Sequence, residues 1–187
     1  MKYLIACLGN IGAEYANTRH NIGFQVGDAL CADLSGKFET GRLAQTAVVK
    51  YKSRILVVIK PTTYMNLSGK AVQYWLRQEN IPQENLLVVV DDLALPLATL
   101  RMKTKGSDAG HNGLENIIQT LGNKQFARLR FGIGNDFPRG KQVDFVLGEW
   151  SKQELLALEP KIPAAVEMVK CFVAIGAERT MNFYNNK

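Results

Sequence analysis

Short β-branched runs alternate along this chain with stretches of helical periodicity, which predicts an α/β fold with a mixed sheet packed between helices. Three observations carry that reading. Residues 86–90, Leu-Leu-Val-Val-Val, are continuously apolar, as a central strand buried on both faces must be. Helix-period segments stand between the strand-like ones. The 187 residues contain no internal repeat, low-complexity stretch or linker, so a single domain over 1–187, long enough for a full hydrophobic core, is expected.

The elements follow in order. Residues 3–8 make a first strand. Their apolar run is too short for a signal peptide and no cleavage site follows it. A helix is expected over 22–34. Residues 46–51 and 54–60, parted by Lys52 and Ser53, pair as a hairpin. A helix over 67–78, the central strand over 86–90 and a short strand over 100–103 come next. A helix over 113–121 leads to a strand over 128–133. Ser151 with Glu154 three residues later is a capping-box signature for a short helix, and a longer helix is expected over 163–175. No run reaches the roughly 18 apolar residues of a membrane helix. Cys7, Cys31 and Cys171 are odd in number and far apart, which argues against a disulfide framework and a zinc site and for reduced thiols in a cytosolic protein.

The net charge of +6 is unevenly spread. Arg101, Lys103, Lys105, Lys124, Arg128, Arg130, Arg139 and Lys141 face only Asp108, Glu115 and Asp136 in the same window, so most of the excess lies there. A localised basic surface is a footprint for a polyanion; a solvated basic face is the alternative, and charge alone leaves both open.

Polar loops stand where ligands bind in open α/β sheets, at the carboxyl ends of strands. Gly9-Asn10-Ile11-Gly12 follows the first strand. It departs from a dinucleotide fingerprint, because Cys7 occupies the place of the first glycine, and it reads either as a tight turn or as a loop presenting Asn10. The two histidines of the chain, His20 and His111, are each followed by asparagine. Histidine exchanges protons near neutral pH. His20 sits in the polar run Thr18-Arg19-His20-Asn21 just before a helix, which suits a general base in a cleft. Such a base needs a partner to fix its tautomer. Asp91, at the end of the central strand, is the candidate, whereas Asp92 must point elsewhere. Asn66 or Ser68 either caps the helix they precede or, for Asn66, binds ligand. Tyr64 is either packed or a stacking platform. Asn112 either caps the helix it opens or donates to a developing oxyanion, and His111 is assigned to ordering its loop.

These stretches jointly resemble the bacterial-type peptidyl-tRNA hydrolases, and the resemblance spans nearly the whole chain. It is carried by Leu8-Gly9-Asn10-Ile11-Gly12 with Glu14-Tyr15, Thr18-Arg19-His20-Asn21 with Gly23, and the segment from Pro61 to Gly69. Asp91-Asp92-Leu93 with Pro96, Gly110-His111-Asn112-Gly113-Leu114, the segment from Arg128 to Gly134, and Phe145-Val146-Leu147-Gly148 complete it. The resemblance implies a twisted, mostly parallel sheet and hydrolysis of the ester joining a peptide to the terminal ribose of tRNA. It makes His20 the base that activates water, Asp91 its partner, and Asn112 the residue that holds the water or the oxyanion. Asn66 would orient substrate and Asn10 would distinguish an N-blocked peptidyl group from a free aminoacyl one. Tyr15 and Tyr64 would line the site. Lys103 and Arg130 would grip a phosphate, with Lys141 nearby. It also implies no metal or other cofactor, no membrane association, a cytoplasmic location and a monomer. The family usually has glycine where Cys7 stands and proline where Ile11 stands, so the loop carrying Asn10 lacks proline's fixed φ. Two rivals accompany this reading: a non-catalytic RNA-binding protein on the same scaffold, and a thiol enzyme using Cys7.

Overall fold

The computed structural model describes residues 1–186; Lys187, the last residue of the expected domain, lies outside the described residues. Seven strands form one sheet in the order β2-β3-β4-β1-β5-β7-β6. They are β1 (Lys2–Cys7), β2 (Glu39–Thr40), β3 (Ala44–Tyr51), β4 (Arg54–Pro61), β5 (Leu86–Asp92), β6 (Leu100–Lys103) and β7 (Ala127–Gly132). β1, β4, β5 and β7 run parallel, and β2, β3 and β6 pair antiparallel with their neighbours. The sheet is thus mixed and mostly parallel at its centre, as expected.

Helix α1 (Ile22–Asp33) and α6 (Lys161–Ile175) cover one face; α2 (Ser68–Gln78) and α3 (Asn112–Leu121) cover the other. Alternate residues of β5 feed the two cores: Leu87 and Val89 join the α1/α6 side, and Leu86, Val88 and Val90 the α2/α3 side. All five are fully buried. β1 lies between β4 and β5, so the chain leaves it in one direction, through α1 and β4, and returns through α2 on the opposite face to β5. That reversal creates a crevice at the carboxyl ends of β1 and β5.

The hairpin between β3 and β4 forms as expected, with Lys52 and Ser53 both in the left-handed region that a two-residue turn demands. The capping box of Ser151 and Glu154 is present at α5 (Lys152–Leu158). α6 starts two residues before Pro163, which fits because the first turn of a helix has no use for proline's missing N–H. β2, α4 (Gln142–Val146) and α7 (Ala177–Tyr184) were not expected from the sequence. β2 is too short to show a period. α7 is set off from α6 by Gly176 at φ 90°, and the side chain of Asn185 just beyond it bonds the backbone N–H and C=O of Met102, at 2.9 Å each. Edge strand β6 therefore has one of its open backbone positions covered.

Candidate active site

The position of His20 is set by backbone packing. It lies in a short 3-10 turn, Arg19–Asn21, that runs directly into α1. Gly23, in the first turn of α1, rests on the main chain of β1 and β5; a Cβ there would collide with the carbonyl oxygens of Leu8 and Val89. Only glycine lets the helix start come so near the strands, and that approach brings His20 over the end of β5. Asp91 lies inside that strand, one step further than the sequence placed its end.

His20 Nδ1 is 2.8 Å from Asp91 Oδ2. A carboxylate only accepts, so Nδ1 carries the proton and Nε2 keeps its lone pair. The other carboxylate oxygen, Oδ1, is 2.8 Å from His111 Nε2. His111 Nδ1 accepts from the backbone N–H groups of Gly113 and Leu114, so that ring also has an assigned tautomer, with its proton on Nε2 aimed at Asp91. His111, and not Asn112, is the N-cap of α3. It does more than order a loop: it fastens the helix to the carboxylate that holds His20. The sequence started this helix at residue 113 and so put Asn112 at the capping place; because α3 begins one residue earlier, at Asn112, the cap falls to His111.

Burial alone would push the His20 imidazole down, but the charge of Asp91 and its hydrogen bond outweigh that and raise it above its ordinary value. Burial alone would raise the Asp91 carboxyl; the charges of and hydrogen bonds from the two imidazoles hold it well below the usual carboxylate range. Asp91 is therefore ionised throughout the neutral range and favours the imidazolium that a base must become.

Adjacent residues of a strand face opposite ways, so Asp92 turns from the histidines. Its Oδ2 accepts from Arg130 Nε at 2.6 Å. One cavity is lined by His20, Asp91, Asn112, Lys103 and Arg130 together. Asn112 is exposed there and its side chain makes no hydrogen bond among the described residues. Arg128 shares the lining but is 2% exposed, with its guanidinium bonded to the carbonyls of Gly106, Ser107, Lys124 and Phe126. Burial, then repulsion from Arg130, lowers it to about 10. Arg128 stitches loops together and adds little to the basic surface, which narrows the footprint read from the sequence to the exposed lysines and arginines around Lys103.

Asn10, Tyr15, Tyr64, Asn66 and Lys141 stand outside this cavity. Asn10 is nevertheless joined to it. Its Oδ1 accepts from the Met65 N–H at 2.9 Å, and its main chain is bonded on both sides by the side chain of Asn21, next to His20. Met65 lies beside Gly113, where a Cβ would meet the Met65 sulfur and the His111 ring. Asn66 and Tyr64 thus flank a residue anchored to the centre. Tyr64 is 62% exposed. The side chain of Asn66 is exposed and does not cap α2, and Ser68 instead donates to the Met65 carbonyl. Lys141 is exposed and lies 3.6 Å from Asp144.

The ring nitrogens of His20 and His111 with Asp91 are metal-ligand types within 4.8 Å of one another. The donor set does not fit a cation. Each nitrogen–oxygen pair is at hydrogen-bond distance, whereas two ligands of a tetrahedral zinc lie roughly 3.3 Å apart. His111 Nε2 also bears the proton that its capping role dictates, and so has no lone pair to offer. Cys7 is fully buried, and burial, then the charge of Asp28, drive its thiol far above its ordinary value, so it offers no thiolate.

Fold and cavity define an α/β protein with a histidine–carboxylate–histidine centre beside a cationic rim. The family model described as peptidyl-tRNA hydrolase matches residues 4–187, and the chain belongs to that family. Relatives bearing the name peptidyl-tRNA hydrolase include those of Phocaeicola vulgatus, 58% identical over 187 residues, and Bacteroides fragilis, 54% identical over 187 residues, each covering all of both chains. The crystal structure of peptidyl-tRNA hydrolase from Acinetobacter baumannii superposes with a TM-score of 0.91 at 31% identity, covering 96% of this chain and 92% of that one.

Proposed function

We propose that this chain hydrolyses the ester between a peptide, or another N-blocked aminoacyl group, and the terminal ribose of tRNA, releasing both and recycling peptidyl-tRNA lost from translation. The observation that carries this is the setting of His20 in a chain of this family: Nδ1 is held by Asp91 and the ring lines the cavity, so in the neutral imidazole Nε2 keeps the lone pair a base needs. Water gives its proton to Nε2 as its oxygen attacks the ester carbonyl. The imidazolium is stabilised by Asp91 and then returns the proton to the departing ribose oxygen. Asn112, exposed in the same cavity with a free carboxamide, donates to the oxyanion. An ester needs no more than this, since an alkoxide leaves more readily than an amide nitrogen.

The binding roles extend the same reading. Lys103 and Arg130 hold a tRNA phosphate and Lys141 adds charge beyond them. Such contacts are indifferent to sequence, as an enzyme acting on many tRNAs requires. Asn66 and the exposed Tyr64 meet the peptide end, Tyr15 lines the approach, and Asn10 selects for a blocked amino group. Residues 1–187 act as one domain, as a monomer, in the cytoplasm where such substrates arise. No helix among the described residues is long and apolar enough to cross a membrane.

Single-turnover cleavage of N-acetyl-aminoacyl-tRNA tests the proposal. Release of free tRNA is expected. Tight binding without cleavage would restore the non-catalytic RNA-binding reading, which does not call for the His20–Asp91–His111 arrangement. Size-exclusion chromatography with light scattering checks the monomer.

A further inference from the structure

We infer that Asn21 is a positioning residue for substrate discrimination: it locks Asn10 so that the Asn10 carboxamide offers only N–H groups to the peptide end of the substrate. The inference rests on the reading of Asn10 given above and deepens it.

The polarity of both amides is settled by their partners. The Met65 backbone N–H can only donate, so the Asn10 atom 2.9 Å from it is the oxygen Oδ1. The Asn10 main-chain N–H donates to Asn21 Oδ1 at 2.8 Å, and the Asn10 carbonyl accepts from Asn21 Nδ2 at 2.9 Å. Neither side chain can be turned over without setting donor against donor. Asn21 is 1% exposed, so water does not compete for its two bonds. Its own backbone N–H donates to the Thr18 carbonyl, and Gly23 two residues on is seated against β1 and β5.

Two consequences follow. Asn10 Nδ2 has no partner among the described residues and is not sealed from solvent, while Oδ1 is spent on Met65. A carbonyl of an N-acyl group satisfies that amide. A free α-ammonium, which is donor-only and positive, finds no acceptor there. Asn21 also adjoins His20, so the residue that checks the substrate and the base that attacks it hang on one rigid segment. The loop 9–12 lacks a proline at Ile11, and the ring of bonds from Asn21 supplies the constraint instead.

The test compares kcat/KM for N-acetyl-aminoacyl-tRNA with that for the unblocked aminoacyl-tRNA, in the wild-type protein, Asn10→Ala, Asn21→Leu and the double variant. Asn21→Leu is expected to lower the ratio about tenfold, with the acid limb of the kcat profile unmoved, and to have no further effect in the Asn10→Ala background. Asn10→Ala leaving the ratio unchanged would remove the role of Asn10 itself. A ratio that collapses in Asn10→Ala but survives in Asn21→Leu would overturn the positioning role alone. So would an Asn21→Leu effect that persists without Asn10, or one seen only as lower thermal stability. If Asn21→Leu does not fold, Asn21→Asp at pH 8 keeps the size and the acceptor but loses the donor; a severalfold lower ratio is expected, and an unchanged one is decisive against the idea.

Discussion

Asp91 and Asp92 are consecutive residues of one strand, chemically identical, and they build two unlike regions. Asp91 is buried and shared between two imidazoles, one at each oxygen. Asp92 faces the other way, takes one guanidinium, and spends its second oxygen on the Ala94 N–H at 2.8 Å. The partner of Asp92 is charged at every accessible pH, so that pair is a fixed object. The partners of Asp91 can gain and lose protons, so that region is built to change its charge within a reaction cycle. On the function proposed above, the contrast separates groups assigned to chemistry from groups assigned to holding substrate, and each variant below presses on one side of it.

The largest effect belongs to the base. His20→Ala is expected to lower kcat by roughly 10²–10⁴-fold, the usual worth of a general base, with little change in KM. A comparable rise in KM instead would move His20 from the chemical region to the binding one. Asp91→Asn comes next. An asparagine accepts at one atom only, so one of the two imidazoles must face an NH₂ group and either turn over or lose its bond. A fall in kcat of about 10²-fold is expected. The pH profile gives a sharper check. In the native protein Asp91 raises His20, so the acid limb of kcat/KM lies above the ordinary imidazole value of about 6.5. Without that charge only burial remains, which favours the neutral ring. The limb should therefore move down in pH, and the relative loss should be greatest at high pH. An unmoved limb would mean that another group sets the profile.

How much of this was readable beforehand also divides along the two regions. β1, β5 and the helices that bury large apolar residues were legible, because burial on both faces leaves a continuous run and burial on one leaves a period. His20, Asp91 and Asn112 were legible as residue types at strand ends and helix starts. What was not legible depends on distance in the sequence. Nothing local announces that Arg19 reaches Glu154 through two bonds of 2.9 and 3.1 Å while donating to the Phe145 carbonyl, pinning the segment that carries Val143 and Val146 to the cavity wall. The basic window stayed open for the same reason: Arg128 and Arg130 look alike in the chain, and only packing shows that one is enclosed by carbonyls and the other answered by Asp92. His111 was underread, since its two ring nitrogens serve partners on different elements.

His111→Ala is expected to have an intermediate effect and to show in two measurements at once. Loss of the cap on α3 costs about 1 kcal/mol, a fall of roughly 2–4 °C in Tm for a chain of this size. One oxygen of Asp91 loses a charge-assisted bond, and a drop in kcat of about tenfold follows if a little over 1 kcal/mol of that is felt in the transition state. A lower Tm with unchanged kcat would confine His111 to the helix.

The smallest effects belong to the rim, and there the two cations should differ. Lys103 is exposed and has no salt-bridge partner among the described residues, whereas Arg130 is already paired with Asp92. Neutralising a phosphate contact flattens the dependence of log K on log salt by about one unit. Lys103→Ala should show that full step, with kcat nearly unchanged. Arg130→Ala should show less, because its loss also exposes the carboxylate of Asp92 and because part of its charge was never available. Asp92→Asn then becomes the informative variant: it frees Arg130, and tRNA binding should tighten and its salt dependence steepen. Titrations of deacylated tRNA between about 50 and 200 mM salt read all three slopes. No step for Arg130→Ala, together with no gain in Asp92→Asn, would show that the fixed pair is silent toward RNA and that the rim's affinity resides in the unpaired lysines alone, whereas equal steps for Lys103→Ala and Arg130→Ala would show that pairing with Asp92 takes nothing from Arg130.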